Sequence, residues 1–247
     1  MNFKDYFSTQ AIDYAKYRPD YPAALFDFIF SKVHHQGKAW DCATGNGQVA
    51  IKLAERFEQV VATDASEKQI ASAMAYKNVT YQVVAAEQSG FADELFDLIT
   101  VGQALHWFHF DQFFTEVKRV AKPGCFFIAF GYGDNFIEPN IDKVVQWFSN
   151  DLLGGYWPKE RQYIDDSYLT IPFPFKQVEM PAMYISKNWD LADLMGYFST
   201  WSSTNLYIKQ NGSNPLQLLS PRLLDVWGEP TQKRLVQWPL FALAAYV

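Results

Sequence analysis

Four short stretches of this chain hold residue types whose spacing suits chemistry. The first is Asp41-Cys42-Ala43-Thr44-Gly45-Asn46-Gly47-Gln48, which follows an apolar run and precedes a helical pattern. Glycines at such a junction allow a tight turn and let a ligand approach the backbone. Gly45-Asn46-Gly47-Gln48-Val49-Ala50 also fits the G-x-G-x-x-G/A fingerprint of dinucleotide sites, and a plain structural turn needs glycine as well. Asp41 tilts this balance. A carboxylate four residues before Gly45 repels a pyrophosphate on the same loop and suits a ligand carrying positive charge. The second stretch ends in Asp64, 17 residues after Gly47, where a carboxylate can accept both hydroxyls of a ribose or cap the helix that follows near Ala65 or Ser66. The third is Ala85-Ala86-Glu87. Its small residues leave room for a flat ring, and Glu87 is either an acceptor for an exocyclic amine or a solvated acid. The fourth is Gln103-Ala104-Leu105-His106-Trp107-Phe108. His106 there is a structural hydrogen-bonder or faces a ligand, since α/β sheets hold ligands at the carboxyl ends of their strands.

These stretches need elements to position them. Lys38–Asp41, Gln59–Asp64, Val79–Ala86, Phe96–Gln103 and Cys125–Phe130 are apolar, β-branched or aromatic runs of strand length. Between them, Gln48–Phe57 places Ala50, Leu53, Ala54 and Phe57 on one helical face. Asp111–Ala121 does the same with Phe113, Val117 and Val120, with Asp111 as N-cap, and Lys122-Pro123-Gly124 ends it. Alternating strands and helices predict a parallel sheet covered by helices on both faces. Tyr21–Val33 reads as a preceding helix. Residues 132–175 hold ten aromatics, Gly154-Gly155 and a Pro-broken run at 171–175, and read as a helical cap over the carboxyl ends of the strands. Trp147, Trp157 and Trp201 read as its core. Val178–Trp189 and Arg234–Val247 read as late strands, with helices over Asp190–Ser199 and Pro221–Glu229.

The 247 residues, 49% apolar, suit one domain with a sizeable core. The 27 acids exceed the 21 bases, net charge is -6 and pI is near 5.2, a balance that disfavours nucleic-acid partners. Cys42 and Cys125 both lie in strand-like runs, so a disulfide framework is not expected and a reducing, cytoplasmic setting is. The longest apolar stretches, such as Trp238–Val247, are too short to span a bilayer, and the first residues lack the charged start and apolar block of a signal peptide. Four histidines, two of them adjacent at His34-His35, give no metal-ligand spacing.

Taken together, the Asp41-x-Ala43-x-Gly45-x-Gly47 loop, Asp64, Ala86-Glu87, Gln103–Phe108 and the opening Tyr14-Ala15-Lys16-Tyr17-Arg18-Pro19-Asp20-Tyr21-Pro22 resemble the class I S-adenosylmethionine-dependent methyltransferases. The resemblance is to the small-molecule branch that includes trans-aconitate methyltransferase-like proteins. It spans the chain and is loosest in the cap. S-adenosylmethionine bears a sulfonium and an ammonium and no phosphate, as Asp41 requires. The resemblance implies a Rossmann-like, doubly wound sheet of seven mostly parallel strands, the last antiparallel. It also implies an N-terminal lid over residues 1–22, a cofactor-binding core over 38–130, cap or substrate segments over 132–175 and about 190–232, and a final strand over 234–247. Asp41, Ala43, Thr44, Gly45 and Gly47 would hold the methionine part of the cofactor. Asp64 and Ala65 would meet the ribose, Ala86 and Glu87 the adenine, and Gln103 and Ala104 the region of the sulfonium. Tyr17, Arg18, His106 and Trp107 would face the acceptor. Ala43 replaces the more usual glycine, a small loss if its φ is negative.

A small organic acceptor, methylated on a carboxylate oxygen, is the expected substrate, with a monomer or homodimer and no membrane or nucleic-acid partner. Arg18 offers a planar charged fork for an acidic acceptor, for the cofactor's own carboxylate, or for a surface ion pair. A carboxylate acceptor needs no base; a phenol or amine would draw on His106. Two alternatives stay open: an NAD-dependent oxidoreductase on a Rossmann-type fold, and a non-catalytic protein that keeps the cofactor loop.

Overall fold

The computed structural model describes residues 17–247; Tyr14, and residues 1–16 of the expected lid, lie outside the described residues. The sheet has seven strands: β1 (Lys38–Cys42), β2 (Gln59–Asp64), β3 (Val79–Val83), β4 (Phe96–Gly102), β5 (Ala121–Tyr132), β6 (Tyr184–Trp189) and β7 (Arg234–Tyr246). Their order is β3-β2-β1-β4-β5-β7-β6. The first five pair in parallel, and β7 runs antiparallel between β5 and β6. Chain order reverses between β1 and β4, which is where open α/β sheets form their ligand crevice.

Period-two burial explains why these runs are strands. Ala39, Leu98, Phe126 and Ile128 point into one core, with Leu25, Ile29, Val49 and Leu53 from α1 (Ala23–Lys32) and α2 (Gln48–Ala54). Trp40, Ile99, Val101, Phe127 and Ala129 point into the other, under Phe113, Val117 and Val120 of α4 (Phe110–Val120). A sheet buried on both faces must be mostly apolar, as the second half of β5 is; β4 is buried along Phe96–Val101 and carries Asp97 and Thr100 among its apolar residues. Cys42 and Cys125 are buried free thiols. Among the described residues no helix is long and apolar enough to cross a membrane.

Several boundaries differ from expectation, each for a local reason. Strand β3 stops at Val83, leaving Ala85–Glu87 in the loop beyond it. The short α3 (Glu67–Ala71) takes its N-cap from Ser66, whose hydroxyl accepts from the Gln69 N–H. His109, not Asp111, is the N-cap residue of α4. Lys122-Pro123-Gly124 does not end the helix in a separate turn. It forms an irregularity within β5, where the pairing skips from Phe96–Ala121 to Leu98–Phe126. Pro181 precedes β6, and only Tyr184–Trp189 joins the sheet.

The expected cap region contains α5 (Pro139–Gln146), a π-helical turn over Trp147–Leu152, a 3-10 turn over Gly154–Tyr156 and α6 (Arg161–Asp165). Three helices connect β6 to β7: α7 (Leu191–Ser199), α8 (Ser202–Asn211) and α9 (Leu216–Trp227). Asp190 starts α7 with a capping box. Helix α9 begins before Pro221 and carries that proline inside it; α8 was not expected at all.

Candidate active site

A cavity of about 730 Å³ opens at the carboxyl ends of the parallel strands. Its floor comes from the loops after β1, β2, β3 and β4. Asp41, Ala43, Thr44, Gly45, Asp64, Ala65, Ala86, Glu87, Gln103, Ala104, His106 and Trp107 all line it. Arg18 lines it from the N-terminal side. Gly47 and Tyr17 do not. Gly47 is the left-handed residue, φ 90°, that precedes α2, and a Cβ there would run into the Tyr81 phenol. Tyr17 lies over Gly196 of α7, where a side chain would collide with its ring.

Asp41 is buried at the end of β1. Its carboxylate accepts from Thr44 Oγ1 at 2.5 Å and from Thr100 Oγ1 at 2.8 Å. Burial nevertheless pushes its pKa up to about 6, because these two hydroxyl donors only partly replace lost water. The following loop alternates handedness: Ala43 has φ 55°, Gly45 φ 59° and Gly47 φ 90°. The glycine-to-alanine departure at Ala43 therefore falls on a left-handed position, contrary to the negative φ that would have made it mild. Asp64 at the end of β2 accepts from the Gly45 N–H at 3.0 Å and the Ser66 N–H at 2.8 Å. It thus ties the glycine loop to the start of α3 and presents its carboxylate to the cavity.

Glu87 Oε1 accepts from the His109 N–H at 3.0 Å, bracing the wall beneath α4. Gln103 sits at φ 52°, and its amide is engaged by the end of β5: Oε1 accepts from the Tyr132 N–H and Nε2 donates to the Tyr132 carbonyl. Arg18 Nη1 donates to the Tyr132 hydroxyl and Nη2 to the Thr200 carbonyl, both at 3.2 Å, with the guanidinium 5.5 Å from the Tyr197 ring centre.

The roof adds groups the sequence did not single out. Arg161 of α6 lines the cavity, held by Asp134 (2.5 Å) and Asp165 (2.6 Å) and lying 4.3 Å over the Trp157 ring. The Ser149 carbonyl, in the last turn before Leu153, accepts from the Trp157 indole at 2.9 Å, which holds that ring. Trp157 and Trp201 line the cavity rather than serving only as core, whereas Trp147 carries Arg222 on its face. His106, on the 3-10 turn Leu105–Trp107, is held neutral: burial first and the Arg161 charge second push its pKa down to about 3.

Comparison with known proteins agrees with this arrangement. Residues 40–129 match the model of a family described as "Methyltransferase domain". A Dictyostelium discoideum protein described as "Putative methyltransferase" is 32% identical over 229 residues, covering 91% of this chain and 87% of its own. The solved structure of a protein described as a type II methyltransferase, from Anaeromyxobacter dehalogenans, superposes with a TM-score of 0.86 at 38% identity, over 93% of this chain and 97% of that one. A solved Bacillus halodurans structure described as that of a "putative methyltransferase", 19% identical with a TM-score of 0.53 over 91% and 99% of the two chains, shares the fold. Neither the oxidoreductase nor the inert-binder alternative is favoured. With a seven-stranded sheet ending in an antiparallel strand, an acidic glycine loop and relatives matched over most of its length, this chain belongs to the class I S-adenosylmethionine-dependent methyltransferases.

Proposed function

We propose that this enzyme methylates a carboxylate oxygen of a small organic acid. The observation that carries the proposal is a pair of guanidinium groups, Arg18 and Arg161, lining a confined aromatic cavity on its cap side. Arg18 brings a positive charge to this side, and Arg161, whose charge Asp134 and Asp165 already offset, adds a guanidinium edge; both suit a carboxylate acceptor better than an ammonium. A cavity of about 730 Å³ lies within the range of small-molecule sites. The same class of acceptor is implied by the resemblance to trans-aconitate methyltransferase-like proteins.

The floor suits S-adenosylmethionine on its own chemistry. A buried carboxylate with a raised pKa is stabilised by a cation, and Asp41 would receive the ammonium of the methionine part, with the Ala43–Gly45 backbone alongside. Asp64 would take the ribose hydroxyls, Ala86 and Glu87 would flank the adenine, and Gln103 and Ala104 would lie near the sulfur. Bound S-adenosylmethionine supplies a methyl group on positively charged sulfur, and the C–S electron pair stays with sulfur as the acceptor oxygen forms its new bond to carbon. The protein's own work is then positioning and exclusion of water. Arg18 and Arg161 orient the acceptor carboxylate, and Trp107, Trp157 and Trp201 wall it off. A carboxylate is already ionised at neutral pH, so no residue has to remove a proton. The weakly basic His106 fits that requirement better than it fits the deprotonation of a phenol or amine.

Incubating the enzyme with methyl-labelled S-adenosylmethionine and matched panels of small carboxylic acids, phenols and amines tests this reading. The expected product is an ester, whose label is released as methanol by mild alkali. Alkali-stable label on phenols or amines alone would overturn it.

A further inference from the structure

We infer that Tyr168 fixes His106 as the neutral Nε2–H tautomer, so that His106 enters the cavity as a hydrogen-bond donor and not as a general base. The inference deepens the acceptor reading above and rests on it for its functional meaning, but its geometry stands alone.

Tyr168 comes from 62 residues further along the chain and lies beneath the 3-10 turn that carries His106. The side chain is fully buried, and its hydroxyl sits 3.3 Å from His106 Nδ1. Among the described residues His106 Nδ1 is the one acceptor within hydrogen-bond distance of that hydroxyl. A fully buried phenol that keeps its hydrogen must give it to an acceptor or leave it unsatisfied. The direction of the bond follows: Tyr168 donates and Nδ1 accepts. Nδ1 is then bare, and the imidazole proton resides on Nε2.

Nε2 is the ring nitrogen left for the cavity. The imidazole lines the cavity wall, and among the described residues no protein group bonds Nε2. The charges and polar groups around the ring push in the same direction. Burial and Arg161 oppose an imidazolium, and burial holds the Tyr168 phenol protonated by raising its pKa. Asp134 and Asp165 face Arg161 and are bound to it. What His106 offers an acceptor carboxylate is therefore one N–H. That N–H suits the oxygen that is not methylated, because a bond to the attacking oxygen would weaken it as a nucleophile.

The backbone is consistent with a required geometry. Ser167 and Tyr168 are successive residues with φ 52° and 64°, an uncommon conformation for non-glycine residues. A phenylalanine would fill the same space without a buried hydroxyl to satisfy. Tyr168 is thus a positioning residue, acting through His106.

The test is a long-range proton–nitrogen correlation spectrum of the whole protein labelled with ¹⁵N-histidine, recorded from pH 5 to 8 with and without S-adenosylhomocysteine. With four histidines in the sequence, His106→Gln assigns the signal. The expected wild-type pattern is an unprotonated Nδ1 and a protonated Nε2 throughout. The Tyr168 hydroxyl proton should show a through-space contact to the imidazole. Tyr168→Phe should raise the share of the Nδ1–H form several-fold. An Nδ1–H or imidazolium signal in the wild type would overturn the inference whether or not the variant folds. So would a folded Tyr168→Phe with the tautomer unchanged. Failure of the acceptor reading registers separately, as absence of ester in the labelled assay with the tautomer intact.

Discussion

Replacing Asp41 with asparagine should stabilise the apo protein at neutral pH and weaken its hold on the cofactor. The side chain is fully buried, and its folded pKa is raised from 3.8 to about 6. A carboxyl group with a raised pKa contributes stability fully below its unfolded pKa and loses it as pH rises through the folded one. The shift of about 2 units costs the folded state roughly 3 kcal/mol above pH 6, at about 1.4 kcal/mol per unit. Asparagine keeps the shape and removes the charge, but it must rearrange the bonds from Thr44 and Thr100, a loss of about 1 kcal/mol. The net expectation is a gain of about 1–2 kcal/mol at pH 7.5 and none, or a small loss, near pH 4. Denaturant unfolding of the two proteins at both pH values reads this directly. Cofactor affinity should move the other way. Losing a charged hydrogen bond of about 1.5–3 kcal/mol weakens S-adenosylhomocysteine binding roughly 10- to 100-fold at pH 7.5. Wild-type affinity should tighten as pH rises through about 6, as Asp41 ionises, while the variant's stays flat through that region. A variant equally destabilised at both pH values, with cofactor affinity unchanged, would refute the reasoning.

Substitutions at three further positions probe separate parts of the site. Ala43→Gly should stabilise the protein by about 0.5–1 kcal/mol in denaturant unfolding, because relief of a left-handed alanine outweighs the entropy glycine adds to the unfolded chain; a loss of stability would mean the loop is not left-handed there. Asp64→Asn should cost cofactor affinity and lower the melting temperature modestly, because its single oxygen can keep only one of the Gly45 and Ser66 amides. Asp64→Ala should cost more of both, because it releases the Gly45 and Ser66 amides together, and calorimetry paired with thermal unfolding separates the two. Arg161→Ala should raise the apparent Michaelis constant for a carboxylate acceptor at least 10-fold, for about 1.5 kcal/mol of lost charged bonding, and leave cofactor affinity near the wild-type value; a fall in cofactor affinity alone would remove Arg161 from the acceptor side.

The floor of the site was readable from sequence because its geometry is local. Asp41, Gly45 and Asp64 stand at fixed distances from strand ends that apolar runs already mark, and parallel packing brings those ends together. The roof was not readable for the opposite reason. Arg161 is held in the cavity wall by contacts distant in sequence: it lies over Trp157 and pairs with Asp134 from the loop after β5. Tyr168 meets His106 across 62 residues. Helix α8 left no apolar stripe to find, since the residues it buries are Ser203 and Thr204. Backbone sign was equally hidden: nothing in the type of Ala43 or Gln103 announces a positive φ, which the surrounding bonds impose.

A crystal structure with S-adenosylhomocysteine bound tests the account most directly. The account predicts the amino group of the ligand at Asp41, the ribose hydroxyls on Asp64, the adenine beside Ala86 and Glu87, and the sulfur turned toward the space between His106, Arg18 and Arg161. Density for the ligand outside this cavity, or a sulfur directed away from the two arginines, would contradict it.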